Sequence, residues 1–399
     1  MKHFNGFYKN TNIDYNSIPQ DLLNISNKCK SNPLPWNGQF SPQLVQVLLH
    51  EYANKNDFIF DPFLGSGTVL LESGEYGVKA IGTEINYAAV CLSKIYELIN
   101  TNLSERIFLL NNLDNQFKET FIFKNSNPII EIKKILEKTS NEKSKTILRA
   151  FIILIDLYKE KFTVKWFEQK WHKIMDIVNS LPVSKKEIFV LNEDARETSI
   201  LDSSTSFVIT SPPYINVFNY HQQYRSSAEF LNGSVLPVAQ AEIGSNRKHR
   251  SNRLYTVIQY CMDISKVFEE INRVCKNGSH IIFIVGRESS VRKTAFYNGE
   301  IISELATRIN GLHFISRQER VFTNRFGLRI FEDILHFKST KQKTEKISEK
   351  ARKIGLEILE SVKKYAPSET IDDINDAIIK AESIVFSPIM KNKLKSFHV

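Results

Sequence analysis

The chain has little of what would staple it, anchor it or load it with metal. Its four cysteines, Cys29, Cys91, Cys261 and Cys275, form no CxxC pair. A disulfide framework and a zinc site are therefore not expected, and a reducing, cytoplasmic setting fits. No apolar run reaches the roughly 18 residues that a membrane span needs, so no membrane partner is expected. The start, Met1-Lys-His-Phe-Asn-Gly6, has no hydrophobic region of the signal-peptide kind. There is no internal repeat and no low-complexity segment. What is present is 399 residues with 42% hydrophobic and 24% charged content, enough to bury the core of one large domain with insertions or of two ordinary domains. A net charge of +9 suits a polyanionic partner.

The patterning alternates at first. Residues 1–35 are polar and Asn-rich and read as an irregular arm. Ser41 followed by Pro42 marks a helix start, and Leu44, Val45, Leu48, Leu49 and Tyr52 then lie on one stripe. The run 58–60 is a buried strand entering a Gly-rich turn; a helix over 68–76, a strand over 79–84 and a helix over 87–100 follow. This order predicts a doubly wound, mostly parallel, Rossmann-like α/β sheet. Residues 101–186 interrupt it with helices expected over 129–138, 145–158 and 164–181, an insertion that serves either target recognition or scaffolding.

Strands resume over 188–191 and 207–210, and a polar stretch runs to about residue 252. A helix over 255–274, a strand over 280–285, a helix over 300–309 and strands over 313–321 and 329–338 complete the sheet. The expected division is thus an arm over 1–35, a cofactor-binding domain made of 36–100 and 187–340, the insertion over 101–186, and a helical tail over 341–399. In that tail Ile347, Ala351, Ile354, Ile358 and Val362 form one stripe, and Ser368 caps a second helix bearing Ile371, Ile374 and Ile378.

Two short motifs carry the chemistry. Asp61-Pro-Phe-Leu-Gly-Ser-Gly-Thr68 joins a strand to a helix, so backbone N–H groups and a helix N-terminus face the sheet's carboxyl edge. Gly65 and Gly67 let a ligand approach the backbone closely. Glu84 ends the next strand, where a carboxylate can accept from both hydroxyls of a ribose. A third glycine, which the dinucleotide fingerprint GxGxxG requires, is missing. The second motif is Thr210-Ser-Pro-Pro-Tyr214. The amine of cytosine or adenine is a weak nucleophile, because its lone pair is delocalised into the ring. Two acceptors on its hydrogens localise that pair: Ser211 Oγ and the Pro212 carbonyl, held rigid by Pro212 and Pro213, with Tyr214 to stack on the base.

Together the motifs closely resemble those of the amino-methylating DNA methyltransferases, which use S-adenosyl-L-methionine. On that resemblance Asp61, Phe63, Gly65, Gly67 and Thr68 belong to the turn around the methionine part and sulfonium, Glu84 holds the ribose, and Asp194, beside Glu193, meets the adenine amine. Gln39-Phe-Ser-Pro-Gln-Leu44 occupies the place of the family's element over the methionine carboxylate. Ser41 then serves either that element or the helix cap. The resemblance implies a site-specific enzyme acting on double-stranded DNA, with a cognate restriction endonuclease as a further partner. Ser in the tetrapeptide favours N4 of cytosine over N6 of adenine. The cofactor turn precedes the tetrapeptide, whereas many N4-cytosine enzymes have the reverse order.

C5-cytosine chemistry is not expected, because no Pro-Cys occurs. An RNA base-amine methyltransferase and a non-catalytic DNA-binding module are the competing classes. A base must leave its duplex to reach such a pocket. Arg225, beside the pocket, and the basic run bearing Arg247, Lys248, Arg250 and Arg253 are candidates for phosphate contact; the other reading of the run is a solvated loop.

Overall fold

The computed structural model describes residues 11–121, 128–158, 163–215, 219–245, 249, 251–324 and 326–391. Its centre is a sheet of seven strands among the described residues, in the order β3-β2-β1-β4-β5-β9-β8. Strands β1 (Phe58–Asp61), β2 (Lys79–Thr83), β3 (Ile188–Leu191), β4 (Thr205–Thr210) and β5 (Cys275–Gly286) run parallel. They are short and apolar because both faces are covered, which leaves no solvent side to demand alternation. A small hairpin follows, β6 (Glu288–Val291) with β7 (Thr294–Tyr297). Strands β8 (His313–Thr323) and β9 (Arg329–Lys338) then form a long hairpin, with β9 antiparallel to β5.

Successive strands step from β1 outward to β3, and the chain then returns to place β4 on the other side of β1. The order therefore reverses between β1 and β4, the point at which doubly wound sheets open a crevice at their carboxyl ends. The two sequence motifs follow these two strands. They are brought together by topology, although about 140 residues separate them.

One face of the sheet carries α2 (Pro42–Tyr52), α3 (Thr68–Tyr76), α4 (Tyr87–Ser93) and the helices between β2 and β3. The stripe expected on α2 is buried, at Leu44, Val45, Leu48 and Leu49. A short helix, α1 (Gln20–Asn24), lies in the N-terminal arm, where Ile18, Leu23 and Leu34 are buried and Asp14 N–H donates to the Arg317 carbonyl at 2.7 Å. Between β2 and β3 stand α5 (Leu103–Phe121), α6 (Pro128–Lys138), α7 (Glu142–Ile155) and α8 (Val164–Ser180). They enclose an aromatic cluster in which the Phe117 and Trp171 rings lie 4.7 Å apart and Phe151 and Trp171 5.3 Å apart. The buried Arg106 donates to the Val178 and Leu181 carbonyls at 2.9 and 2.8 Å, which satisfies the end of α8.

The other face carries α11 (Tyr255–Val274), α12 (Asn298–Glu304), α13 (Ile347–Val362) and α14 (Ser368–Ile379), after the short α9 (Arg225–Phe230) and α10 (Val235–Ala241) in the polar stretch. Three details differ from the sequence reading. The helix expected over 300–309 is α12 continued by a π-turn over Leu305–Ile309. Strand β5 begins at Cys275, directly where α11 ends. Ser368 is the first residue of α14 rather than its cap; Pro367 holds that position and no side chain caps the helix. Among the described residues no helix is long and apolar enough to cross a membrane.

Candidate active site

Gly65 and Gly67 both have left-handed backbones, with φ of +53° and +92°. This bends the turn so that Gly65 N–H donates to Glu84 Oε2 at 2.9 Å, while Asn86 N–H donates to Glu84 Oε1 at 2.7 Å. The ends of β1 and β2 are thus locked through one carboxylate. Asp61 Oδ1 accepts from Thr210 Oγ1 at 2.6 Å and from Phe63 N–H at 3.1 Å. Its Oδ2 is buried and unpartnered among the described residues. Burial pushes the Asp61 carboxyl up to about 7, against the pull of these two hydrogen bonds. Glu84 also rises to about 7 through burial, with Asn86 and Gly65 N–H opposing and Glu242 and Asp61 adding like-charge repulsion.

Above these strand ends lies a cleft of about 890 Å³, open solvent at its mouth included. Of the expected cofactor residues, Phe63, Gly65, Thr68, Glu84 and Asp194 line it, whereas Asp61 and Gly67 support it from behind. Ser41 does not line it. Its hydroxyl stands at the start of α2 yet makes no cap hydrogen bond and is buried without a partner among the described residues. The neighbouring Gln39 and Phe40 do reach the cleft, and Gln39 Nε2 donates to Ser66 Oγ at 2.5 Å. Asp194 Oδ2 is engaged by Arg196 Nη2 at 2.7 Å and by Met390 N–H at 3.0 Å, and its Oδ1 by Arg196 Nε at 2.9 Å. Glu193 accepts from Ser199.

Ser211 and Pro213 line the same cleft, and Ser211 Oγ lies 3.2 Å from Tyr214 Oη. Burial pushes the Tyr214 phenol up to about 12, so it is a neutral hydrogen-bonding group. Pro212 is buried behind the lining. Gly244 makes room here, since a Cβ on it would meet the Tyr214 carbonyl oxygen at 2.7 Å. The wall also holds residues that no motif announced: Trp36, Asn86, Tyr220 and Glu242. Glu242 Oε2 lies 2.6 Å from Nδ1 of the buried His221. Only Asn86, a helix cap whose side chain accepts from Ala88 N–H at 3.0 Å, had a local signal.

The residues present fit S-adenosylmethionine. An orphaned buried carboxylate oxygen on Asp61 suits a cationic ligand, the Glu84 carboxylate has lone pairs left for hydroxyls, and Trp36, Phe40 and Phe63 offer apolar surface. Of the basic residues expected at phosphates, Arg225 sits on α9 and pairs with Glu229 at 2.9 Å. Arg253 is exposed in the turn before α11. Arg247, Lys248 and Arg250 lie outside the described residues.

Comparison with known proteins bears on the same segment. Residues 3–95 match a family model described as DNA methylase, a span that holds the turn and Glu84 but not Ser211–Tyr214. The chain is 28% identical over 190 residues to the type II methyltransferase M.MjaII of Methanocaldococcus jannaschii, covering 47% of this chain and 34% of that protein. It is 25% identical over 293 residues to the type II methyltransferase M.BsoBI of Geobacillus stearothermophilus, 56% and 58%. It is also 29% identical over 105 residues to the mouse tRNA (guanine(10)-N(2))-methyltransferase TRMT11, 22% and 23%. The chain thus spans about a third and under three-fifths of the two type II relatives. These matches identify the segment that builds the cleft as that of the amino-group methyltransferase family, whose cofactor is S-adenosylmethionine.

Proposed function

We propose that this chain is a site-specific DNA methyltransferase that acts on the exocyclic amine of a flipped base, N4 of cytosine before N6 of adenine. The observation that carries this reading is the shared cleft: Ser211 and Pro213, after β4, face the space lined by Gly65 and Glu84, after β1 and β2. When bound, the cofactor supplies an electrophilic methyl group on a sulfonium. The protein's part is to present the amine. Ser211 Oγ and the Pro212 carbonyl accept its hydrogens, so the nitrogen lone pair turns out of the ring and toward the methyl. Tyr214 packs on the base and holds Ser211 in place. Positioning and electrostatics carry such a step, and no covalent intermediate is required.

The type II relatives support a restriction–modification setting, with duplex DNA as substrate and a cognate endonuclease as partner. In this reading the helices over 101–186 and the tail over 341–399 are an insertion and an extension, the former contributing target recognition or scaffolding. The match to a tRNA guanine-amine methyltransferase favours RNA as the second substrate class. Methyl transfer from labelled S-adenosylmethionine to duplex DNA and to tRNA, followed by nucleoside mass spectrometry, separates them. N4-methylcytosine is expected. N6-methyladenine keeps the mechanism and changes the base, and transfer to tRNA alone overturns the DNA reading.

A further inference from the structure

The β8–β9 hairpin outruns the sheet it belongs to. Its two strands pair out to Thr323 and Arg329, but β5 follows β9 only as far as Gly286 opposite Glu332. The hairpin beyond Glu332 therefore projects past the carboxyl edge of the sheet, the edge that holds the cleft. At roughly 3.3 Å per residue, the tip stands about 10 Å beyond the end of β5. That end adjoins the tetrapeptide: a Cβ on Gly286 would lie 3.3 Å from the Tyr214 ring.

The tip is a built turn. Asn324 Oδ1 accepts from Phe326 and Leu328 N–H at 2.9 and 3.1 Å, and Asn324 N–H donates to the Leu328 carbonyl at 2.9 Å. It holds two large apolar side chains out to solvent, Phe326 at 71% exposure and Leu328 at 62%. Charge is sorted along the hairpin. The acids sit at its base and are paired, Glu332 with Arg320 at 2.8 Å and Asp333 with Arg287 at 2.8 Å. From residue 321 to 331 the sequence has two arginines, Arg325 and Arg329, and no acid. Arg329 is exposed.

We propose that this hairpin is a wedge for duplex DNA: Phe326 and Leu328 enter the base stack beside the target nucleotide, and Arg329 faces the phosphates. The proposal rests on the DNA-methyltransferase reading. Taking a base out of a duplex loses its stacking and opens a gap, and apolar side chains inserted between base steps offset that loss. The position fits the task, beside Tyr214 yet well outside the cleft. The chemistry fits as well, since basic flanks without acids suit a polyanion. Two apolar side chains on a narrow tip are also too small a surface for a stable protein interface.

The test uses the full chain carrying Phe326→Ala with Leu328→Ala, assayed for methyl transfer to duplex genomic DNA and to the same DNA denatured to single strands. Cofactor affinity and the thermal midpoint are measured beside it. On duplex, kcat/KM for DNA is expected to fall about 10- to 100-fold, the value of a lost stacking contact. The defect should shrink on single strands, where no base needs extracting, and Phe326→Trp should stay active. Cofactor affinity and melting should match the wild type. Wild-type rates on duplex overturn the wedge, and so does an equal defect on both substrates. A change in self-association alone would assign the tip to a protein contact instead and likewise overturn it. If the wild type binds cofactor but methylates neither form of DNA, the DNA reading itself fails, a result distinct from failure of the wedge.

Discussion

Thr210 Oγ1 donates to Asp61 Oδ1 at 2.6 Å, and this single bond latches the last residue of β4 to the last residue of β1. The residue before the tetrapeptide therefore orients the acid that opens the cofactor turn. Both partners are buried, so the bond is shielded from water and the carboxyl is hard to ionise without it.

A pH dependence of cofactor binding follows. Burial holds Asp61 and Glu84 near 7 in the ligand-free protein. A cationic ligand favours their ionised forms, so binding releases protons and tightens as pH rises. We expect affinity for S-adenosylmethionine to rise from pH 6 toward 8 by up to about tenfold per unit per group, then to level off. Calorimetry in two buffers of different ionisation enthalpy counts the protons released. In Thr210→Val the carboxyl loses a donor, and the rise should move to higher pH. Affinity that stays flat between pH 6 and 8 would remove both carboxylates from the cation's surroundings.

Ser211→Ala deletes one amine acceptor and the partner of Tyr214 Oη, yet removes no group that contacts Glu84 or Gly65. Turnover should fall about 100-fold, as it does when one preorganised hydrogen bond to a reacting group is lost. Cofactor affinity should stay within about twofold of the wild type, well under the change that one lost hydrogen bond produces. Single-turnover kinetics with separate calorimetry checks both halves, and full activity in the variant would refute the role given to Ser211.

The two turn glycines should fail in different ways. At Gly65 a Cβ would lie 3.3 Å from the Trp36 indole, at the cleft wall, and φ is +53°. Gly65→Val therefore crowds the cofactor's space and should abolish binding in a protein that still folds. At Gly67 a Cβ would come within 2.7 Å of the fully buried Tyr96 ring, with φ of +92°. Gly67→Ala should instead lower stability, by at least the 1–2 kcal/mol or so of a left-handed alanine. Urea unfolding and cofactor titration on both variants separate the outcomes. Equal losses of affinity with unchanged unfolding midpoints would contradict this assignment.

These glycines also mark what the sequence could reveal. The strand, turn and helix from Phe58 to Tyr76 and the terminal Glu84 are local signals, and helices such as α2 announce themselves by one apolar stripe. The β6–β7 hairpin did not, because its turn residues Arg292 and Lys293 take φ of +51° and +60° without the glycine or asparagine that normally betrays such a turn. Trp36, Tyr220 and Glu242 were invisible for a different reason. Each reaches the cleft by long-range packing from a stretch without periodicity. Asp194 was legible as an acid after β3, but not its engagement, because the tail residue Met390 comes from nearly 200 positions away.

That tail meets the cleft through Arg196. Its fully buried guanidinium binds Asp194 Oδ2 at 2.7 Å, Asp263 Oδ1 at 2.8 Å and the carbonyls of Ser387 and Pro388 at 2.8 and 2.9 Å. One side chain thus ties the end of β3, helix α11 and the C-terminal segment together. Arg196→Met would leave two carboxylates buried with no counter-ion, a loss of about 3–5 kcal/mol. Because protonation relieves uncompensated carboxylates, the penalty should be largest near neutral pH and shrink toward pH 5. Arg196→Lys keeps the charge but cannot fork between both acids, so it should fall between the two. Urea midpoints at pH 5 and 7.5 test the order. A penalty that is the same at both values would mean that packing, rather than the stranded charges, sets the cost.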